Sequence, residues 1–306
     1  MAQQLPVQFR GCFTAVVTPF VADGSEIDFV RLAEQVKRQA AGGVTGVVFA
    51  GTTGESPTLR EDEYRELVRK GTAMAHEAGI LAVAGTGSNS TQHACELQEF
   101  AAGAGVDAAL SVNPYYSKPT QEGLYRHFMM QADAAALPVM LYNIPGRTGV
   151  ALTPETVARL AKHPNIRAIK EATGSTDSAG EICVRAPGLA LLSGDDAMTL
   201  PFASVGGVGV VSVVSNLLPE RVSEMCRLVG ANRWGDALVI HRELMPLVKA
   251  LFAETNPIPL KAAMRLLGWD TGVLRLPMTE AGAGTVQGLE RALAGVMAGV
   301  GVGVGG

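Results

Sequence analysis

The chain has 306 residues, of which 47 % are hydrophobic and 18 % are charged, and its formal net charge is −4. This composition excludes an intrinsically disordered protein, because it provides enough apolar side chains for a large core. The acidic balance and the scattered lysines and arginines argue against a nucleic-acid-binding protein.

The cysteines and the apolar segments indicate the cellular compartment of the protein. Cys12, Cys95, Cys183 and Cys226 show no CxxC spacing and form no dense framework, so we expect reduced thiols in a reducing compartment. Residues 1–6 lack the basic and apolar regions of a secretion signal, and the apolar stretch 208–214 is far shorter than the ~20 residues that cross a bilayer. We expect a cytoplasmic protein that does not insert into membranes.

Eight short apolar runs recur along the chain and predict β-strands. They have the length of strands and do not alternate between apolar and polar residues, which is typical of strands buried on both faces of a parallel sheet. The predicted strands span residues 13–17, 46–50, 80–84, 108–112, 139–142, 166–170, 189–192 and 208–213.

Segments with helical periodicity separate these runs. Thr58 and Glu61 have the spacing of a capping box before a helix over residues 61–76, and Thr153 with Pro154 predicts the start of a helix over residues 154–161. Strand and helix in alternation, eight times, predict an α/β fold, the (β/α)8 TIM barrel. A doubly wound sheet is the alternative, but no glycine fingerprint follows the first predicted strand.

After residue 230 the strand pattern ends, and helices are predicted over residues 234–252, 259–267 and 285–297. We therefore predict two domains, a barrel with the active site over residues 1–230 and a C-terminal helical domain over residues 231–306. One barrel with an appendage suits a chain of this length.

Chemically active side chains follow the predicted strands. Because the residues after the strands of a barrel converge on one face, these side chains define the candidate site. They include one amine, three phenols, two hydroxyls and a guanidinium. The positions are Thr52, Thr53, Tyr115, Tyr116, Tyr142, Arg147, Lys170, Gly194, Asp195 and Asp196.

Lys170 ends the apolar run of the sixth predicted strand. A lone ammonium is costly to bury there unless its proton affinity is lowered, and an amine that is partly neutral can attack a ketone to form an imine. An isolated lysine at a strand end more often extends its charged group into water. The other groups predicted beside Lys170 favour the Schiff-base nucleophile.

A proton relay and a carboxylate site can be built around this amine. Tyr142 can move protons at the carbinolamine oxygen, and Thr52 can link it to a second phenol, that of Tyr116. The glycines at positions 51 and 54 let backbone N–H groups approach a carboxylate such as that of pyruvate. Taken alone, these glycines favour a tight turn.

Arg147 is a candidate for binding a second carboxylate, although a single arginine in a polar loop is by default a surface residue. Asp195 and Asp196 could ligate a metal, but the five histidines lie away from the predicted strand ends. A helix-cap or turn role for the acid pair is therefore favoured. The same acids disfavour the phosphate site that many barrels build after strands seven and eight.

From about residue 11 to about residue 290 the chain resembles the 4-hydroxy-tetrahydrodipicolinate (dihydrodipicolinate) synthase family of pyruvate-dependent class I aldolases. The motifs that carry the resemblance are Gly-Thr-Thr-Gly-Glu at 51–55, the tyrosine at 142 and Ile-Lys-Glu-Ala at 169–172. The resemblance implies catalytic roles for Lys170, Tyr142, Thr52 and Tyr116. It implies substrate-binding roles for Thr53, Arg147, Gly194 and Val211.

The resemblance also implies an activity and an assembly. Pyruvate would condense with L-aspartate 4-semialdehyde on the diaminopimelate route to lysine, without a cofactor. A homodimer or homotetramer is implied, in which Tyr116 enters the site of the neighbouring subunit. The alternative is another 2-keto acid aldolase, lyase or sugar-acid dehydratase of the same superfamily, and Arg147 favours the first activity because such relatives typically lack an arginine there.

Overall fold

A computed structural model of the protein describes residues 7–300, with side chains described through residue 296. Its centre is a closed barrel of eight parallel strands in chain order, in which β1 pairs with both β2 and β8. The strands are β1 Gly11–Ala15, β2 Gly46–Phe49, β3 Leu81–Gly85, β4 Ala108–Val112, β5 Val139–Asn143, β6 Ile166–Glu171, β7 Ala190–Ser193 and β8 Gly209–Ser212.

The helices alternate with the strands and cover the outside of the barrel. Those of the barrel are α1 Phe29–Ala41, α2 Glu61–Glu77, α3 Thr91–Gly103, α4 Gln121–Ala134, α5 Pro145–Thr148, α6 Pro154–Leu160, α7 Thr176–Arg185, α8 Thr199–Ala203 and α9 Pro219–Gly230. Three more follow as a C-terminal region: α10 Trp234–Leu251, α11 Ile258–Leu266 and α12 Ala283–Val300. The predicted TIM barrel with a C-terminal helical appendage is confirmed.

The predicted strands are all present; β4 has the predicted bounds, and the ends of the other strands differ from the prediction by at most two residues. The largest difference is at β1, which begins at Gly11 rather than at residue 13, because Gly11 pairs with Gly209 where the barrel closes. A Cβ at Gly209 would lie only 2.2 Å from the carbonyl oxygen of Gly11. The two strands approach this closely because neither glycine has a side chain. A pattern of apolar side chains therefore cannot reveal this pairing.

Both predicted helix starts are observed, but only one of the two predicted caps. At α6 the cap is confirmed, since the Thr153 hydroxyl accepts from the backbone N–H of Thr156. At α2 the helix begins at Glu61 as predicted, but the predicted capping box is wrong: Arg60 is the N-cap, and the side chain of Glu63 accepts from its backbone N–H at 3.0 Å. Thr58 ends a short 3-10 helix, Ser56–Thr58, and its hydroxyl donates to the Glu55 carbonyl.

Apolar side chains fill the barrel and the space between the barrel and its helices. Phe13, Val48, Met140 and Leu192 belong to the cluster inside the barrel. A larger cluster joins the outer faces of β1–β4 to α1, α2 and α9, and it continues into α10, α11 and α12. Because the C-terminal helices share this core, a domain boundary at residue 230 stays a proposal.

Two further findings concern the described residues. No helix in this part of the chain is both long and apolar enough to cross a membrane. Within the same residues, no three His, Cys, Asp or Glu side chains come together as a metal site, and the four cysteines are free thiols.

Candidate active site

The amine of Lys170 lies at the carboxyl end of the barrel beside an aromatic ring. Lys170 on β6 is the register partner of Tyr142 on β5, so the two side chains point to the same side of the sheet. The Lys170 Nζ lies 4.2 Å from the centroid of the Tyr142 ring. Both residues are 5 % exposed, so the amine is almost completely removed from water.

Burial lowers the pKa of Lys170 to about 7, because the charged form loses its hydration. The Asp196 carboxylate opposes this shift and the Arg147 guanidinium adds to it. At neutral pH a large fraction of the amine is therefore unprotonated and able to attack a carbonyl carbon.

Asp196 is buried and held by three hydrogen bonds. Its carboxylate accepts from the Ser212 hydroxyl at 2.5 Å and from the backbone N–H groups of Val213 and Val214 at 2.9 and 3.2 Å. Its neighbour Asp195 caps a short 3-10 helix, Asp196–Met198. The cap role predicted for this acid pair is thus observed for Asp195, whereas the Asp196 side chain binds the end of β8.

The side chains of Thr52 and Tyr142 line the same cavity, so the first two members of the predicted relay lie close together. Burial raises the pKa of Tyr142 to about 12, while the Arg147 guanidinium and the Thr52 side chain oppose the rise. The phenol therefore stays protonated at neutral pH and can give a proton to an oxygen that forms beside Lys170.

The loop at residues 51–55 borders the cavity that contains Tyr142, and Gly51 and Thr52 help to line this cavity. Among the described residues, the N–H groups of Thr52 and Thr53 have no hydrogen-bond acceptor. A hydrogen bond holds the loop in place, because the Thr18 hydroxyl donates to the Gly54 carbonyl at 2.6 Å. Two adjacent free N–H groups on a fixed turn are suited to a carboxylate.

Gly194 and Val211 shape the space around the amine. A Cβ at Gly194 would lie 3.1 Å from both Cγ and Cε of Lys170, so any larger residue would press on the lysine side chain. Val211 on β8 is completely buried in the cluster inside the barrel, opposite its register partner Phe13. Gly194 thus leaves room for the lysine, and Val211 forms part of the barrel interior.

Arg147 lies on α5, immediately after β5, and is exposed at the mouth of the site. With Thr52, Tyr115 and Tyr142 it lines a cavity of about 600 Å³. Its Nη2 donates to the backbone carbonyl of Asn256 at 3.1 Å. The remaining N–H groups of the guanidinium are available to an anionic ligand.

Asn256 is a site residue that sequence reasoning missed. It follows α10, and its side-chain amide donates to the Thr53 hydroxyl at 2.9 Å while its carbonyl accepts from Arg147. One residue of the C-terminal region therefore holds two predicted site residues. Its only local signal is the position before a proline, which predicts a turn and not a role.

Tyr116 is not brought to the site within one chain. It is 91 % exposed, and its backbone φ of +74° is the left-handed conformation that non-glycine residues rarely adopt. The neighbouring Tyr115 does line the cavity. Thr52 and Tyr142 therefore lie together in one cavity, and the relay through them to Tyr116 stays a prediction.

Comparisons with known proteins agree with this geometry. The model of the dihydrodipicolinate synthetase family matches residues 8–295. A 4-hydroxy-tetrahydrodipicolinate synthase of Leptospira biflexa is 51 % identical over 280 residues, which cover 91 % of this chain and 94 % of that protein.

Two solved structures are similar to the whole barrel and its appendage. The 4-hydroxy-tetrahydrodipicolinate synthase of Methylacidiphilum fumariolicum SolV superposes with a TM-score of 0.93 at 42 % identity, covering 96 % of this chain and 99 % of the other. The dihydrodipicolinate synthase of Acinetobacter baumannii, solved in complex with pyruvate, gives a TM-score of 0.91 at 40 % identity over 94 % and 99 % of the two chains.

The lowered pKa of Lys170 makes its reactivity toward a 2-keto acid depend on pH. We expect the rate of borohydride-trapped imine formation to rise about tenfold between pH 6 and pH 8 and then to level off, as the neutral fraction of an amine with a pKa near 7 does. Lys170→Arg is the control and should show no trapping. A rate of imine formation that still rises steeply above pH 9 would show that the pKa of Lys170 is that of an ordinary lysine.

Proposed function

The chain belongs to the dihydrodipicolinate synthetase family, and we infer that it is a 4-hydroxy-tetrahydrodipicolinate synthase, which condenses pyruvate with L-aspartate 4-semialdehyde. It is a lyase of the aldolase type in the diaminopimelate route to lysine. The observation that carries the assignment is the buried amine of Lys170 against the Tyr142 phenol, at the carboxyl end of the barrel.

The first step forms an imine between Lys170 and pyruvate. The neutral amine attacks the keto carbon, and the Tyr142 phenol relays the two protons that the amine loses to the resulting oxygen, which leaves as water. The imine withdraws electrons from the adjacent methyl carbon, which loses a proton and becomes an enamine. The enamine carbon then attacks the aldehyde of the second substrate, and attack of that substrate's amine on the imine carbon closes the ring and frees Lys170.

The pyruvate carboxylate is assigned to the loop at residues 51–55. The free N–H groups of Thr52 and Thr53 are the donors, and they require no cation. The Thr53 hydroxyl oxygen accepts from the Asn256 amide, which leaves the hydroxyl proton to donate to the carboxylate. Gly194 and Val211 complete the binding space around the imine.

Arg147 is assigned to the carboxylate of the aldehyde substrate. It stands at the cavity mouth, and the Asn256 carbonyl fixes one side of its guanidinium. A guanidinium held in this way can form a bidentate pair with a carboxylate, which fixes the orientation of the incoming aldehyde.

We also propose an assembly and a location. The exposed, left-handed Tyr116 suits a homodimer in which this tyrosine completes the relay of the partner subunit, and two such dimers can form a tetramer. The four free thiols support the cytoplasmic location expected from the sequence.

The function is tested by trapping the imine and by assaying the product. Borohydride with pyruvate should attach one adduct per chain at Lys170, and Lys170→Ala should lose both the adduct and most turnover. The exposed Lys118 and the buried Lys261 serve as internal controls on the same peptide map. An adduct on either of them, or turnover of sugar acids in place of aspartate semialdehyde, would refute the assignment.

Arg147→Ala should impair use of the aldehyde and spare pyruvate. We expect kcat/KM for aspartate semialdehyde to fall by a factor that corresponds to a loss of about 2–5 kcal/mol in transition-state stabilisation. The rate of imine formation with pyruvate should stay nearly unchanged. Arg159→Ala removes another surface arginine, which pairs with Glu122 on the outside of the barrel, and should change neither step. An unchanged kcat/KM for the aldehyde in Arg147→Ala would exclude the proposed role.

Tyr116→Phe should lower activity without dissociating the dimer. The ring that packs at the interface is kept and only the relay hydroxyl is lost, so we expect kcat to fall at least about tenfold. Sedimentation should show the same assembly as the unchanged protein. Tyr125→Phe, on the outer helix α4, is the matched control. Full activity of Tyr116→Phe would remove this tyrosine from the relay.

A further inference from the structure

A second buried lysine lies close to the carboxylate-binding loop and takes no part in the proposed chemistry. Lys261 on α11 is 0 % exposed, and its Nζ lies 2.5 Å from Oε1 of Glu55. The same Nζ donates to the carbonyl of Val273 at 2.8 Å and lies 4.2 Å from the centroid of the Phe20 ring. Its ammonium is thus enclosed by an acid, a carbonyl and an aromatic face.

Glu55 is the last residue of the loop that presents the free N–H groups. Its backbone has a φ of +53°, which is strained for a residue with a side chain. Its N–H donates to the Thr52 carbonyl at 3.1 Å and so closes the turn that carries Thr52 and Thr53. Its other carboxylate oxygen accepts from the backbone N–H of Arg275 at 3.0 Å.

A buried ion pair is weak evidence for stability, because the loss of hydration offsets most of the attraction between the charges. Well-packed apolar residues would hold α11 against the barrel at least as firmly. The pair does supply a directional link between the C-terminal region and a strained turn, with the Glu55 side chain held by donors from residues 261 and 275. Such a link fixes where the backbone of the turn lies.

We propose that the Glu55–Lys261 ion pair positions the N–H groups of Thr52 and Thr53 for the pyruvate carboxylate, so that Glu55 and Lys261 are positioning residues for pyruvate binding. The proposal rests on the proposed function. Neither side chain lines the cavity, so the pair acts through the backbone of the loop. Loss of the ion pair weakens the binding of pyruvate. It does not change the steps after imine formation, which depend on Lys170 and Tyr142.

The test compares two double variants that remove one ion pair each. Glu55→Gln with Lys261→Met keeps the approximate shape of both side chains and removes both charges of the pair together. The buried Asp270, which also interacts with Lys261, keeps its hydrogen bond from the backbone N–H of Gly272. Arg221→Met with Glu243→Gln is the matched control, since this pair also joins the C-terminal region to the barrel but lies on α9 and α10, away from the loop. Circular dichroism establishes that each variant is folded at the assay temperature.

In Glu55→Gln with Lys261→Met we expect the KM for pyruvate to rise about tenfold or more. The pyruvate concentration that half-saturates borohydride trapping should rise by the same factor. The kcat should stay within about threefold of that of the unchanged protein. The KM for the aldehyde should not change, and the control should keep all of these values. A folded variant with unchanged pyruvate KM would overturn the proposal. If the double variant does not fold, Glu55→Gln alone decides by the same criterion. Failure of the unchanged protein to trap pyruvate would instead refute the proposed function.

Discussion

The loss of hydration at one amine is the constraint on which the site depends. Lys170 becomes a nucleophile at neutral pH because eight strands close around it and remove it from water. That closure requires the contact between Gly11 and Gly209, and Gly194 leaves space beside the lysine side chain, because a Cβ there would lie 3.1 Å from its Cγ and Cε. Asp196 limits the fall in the lysine pKa, so the same interior that activates the amine also keeps it from losing its charge altogether.

Two buried lysines of this protein show how their partners decide their roles. Lys261 has a carboxylate oxygen 2.5 Å from its amine, a carbonyl at 2.8 Å and a fixed position. Lys170 has no carboxylate within salt-bridge distance in the described part of the chain, and its nearest charged influences act from farther away. Burial lowers the pKa of both amines, but only the unpaired one lies against a tyrosine that lines the cavity. Electrostatic environment therefore separates a reactive lysine from a structural one.

Much of the fold and the centre of the site could be predicted from the sequence, because both follow from local patterns. Apolar runs reveal buried strands, and the groups that follow them converge by topology. Where local pattern was not enough, the prediction was wrong or incomplete. The cap of α2 is Arg60 and not Thr58, because Thr58 ends a 3-10 turn before the helix. Asn256 and Thr53 are 203 residues apart in the chain, so no spacing reveals their contact. The proposed place of Tyr116 requires a second chain.

These long-range contacts give the barrel and the C-terminal region different roles in the proposed site. Lys170, Tyr142 and Thr52 come from the barrel strands and their loops, and they are the groups proposed to form and protonate the imine. The groups proposed to orient substrates are held by the C-terminal region: Asn256 binds Thr53 and Arg147, and Lys261 binds the end of the loop. The C-terminal region therefore belongs to the proposed binding site even though it contributes none of the proposed reacting atoms. Substitutions there should act on substrate affinity more than on the chemistry at the amine, because they move the binding groups and leave the burial of Lys170 unchanged.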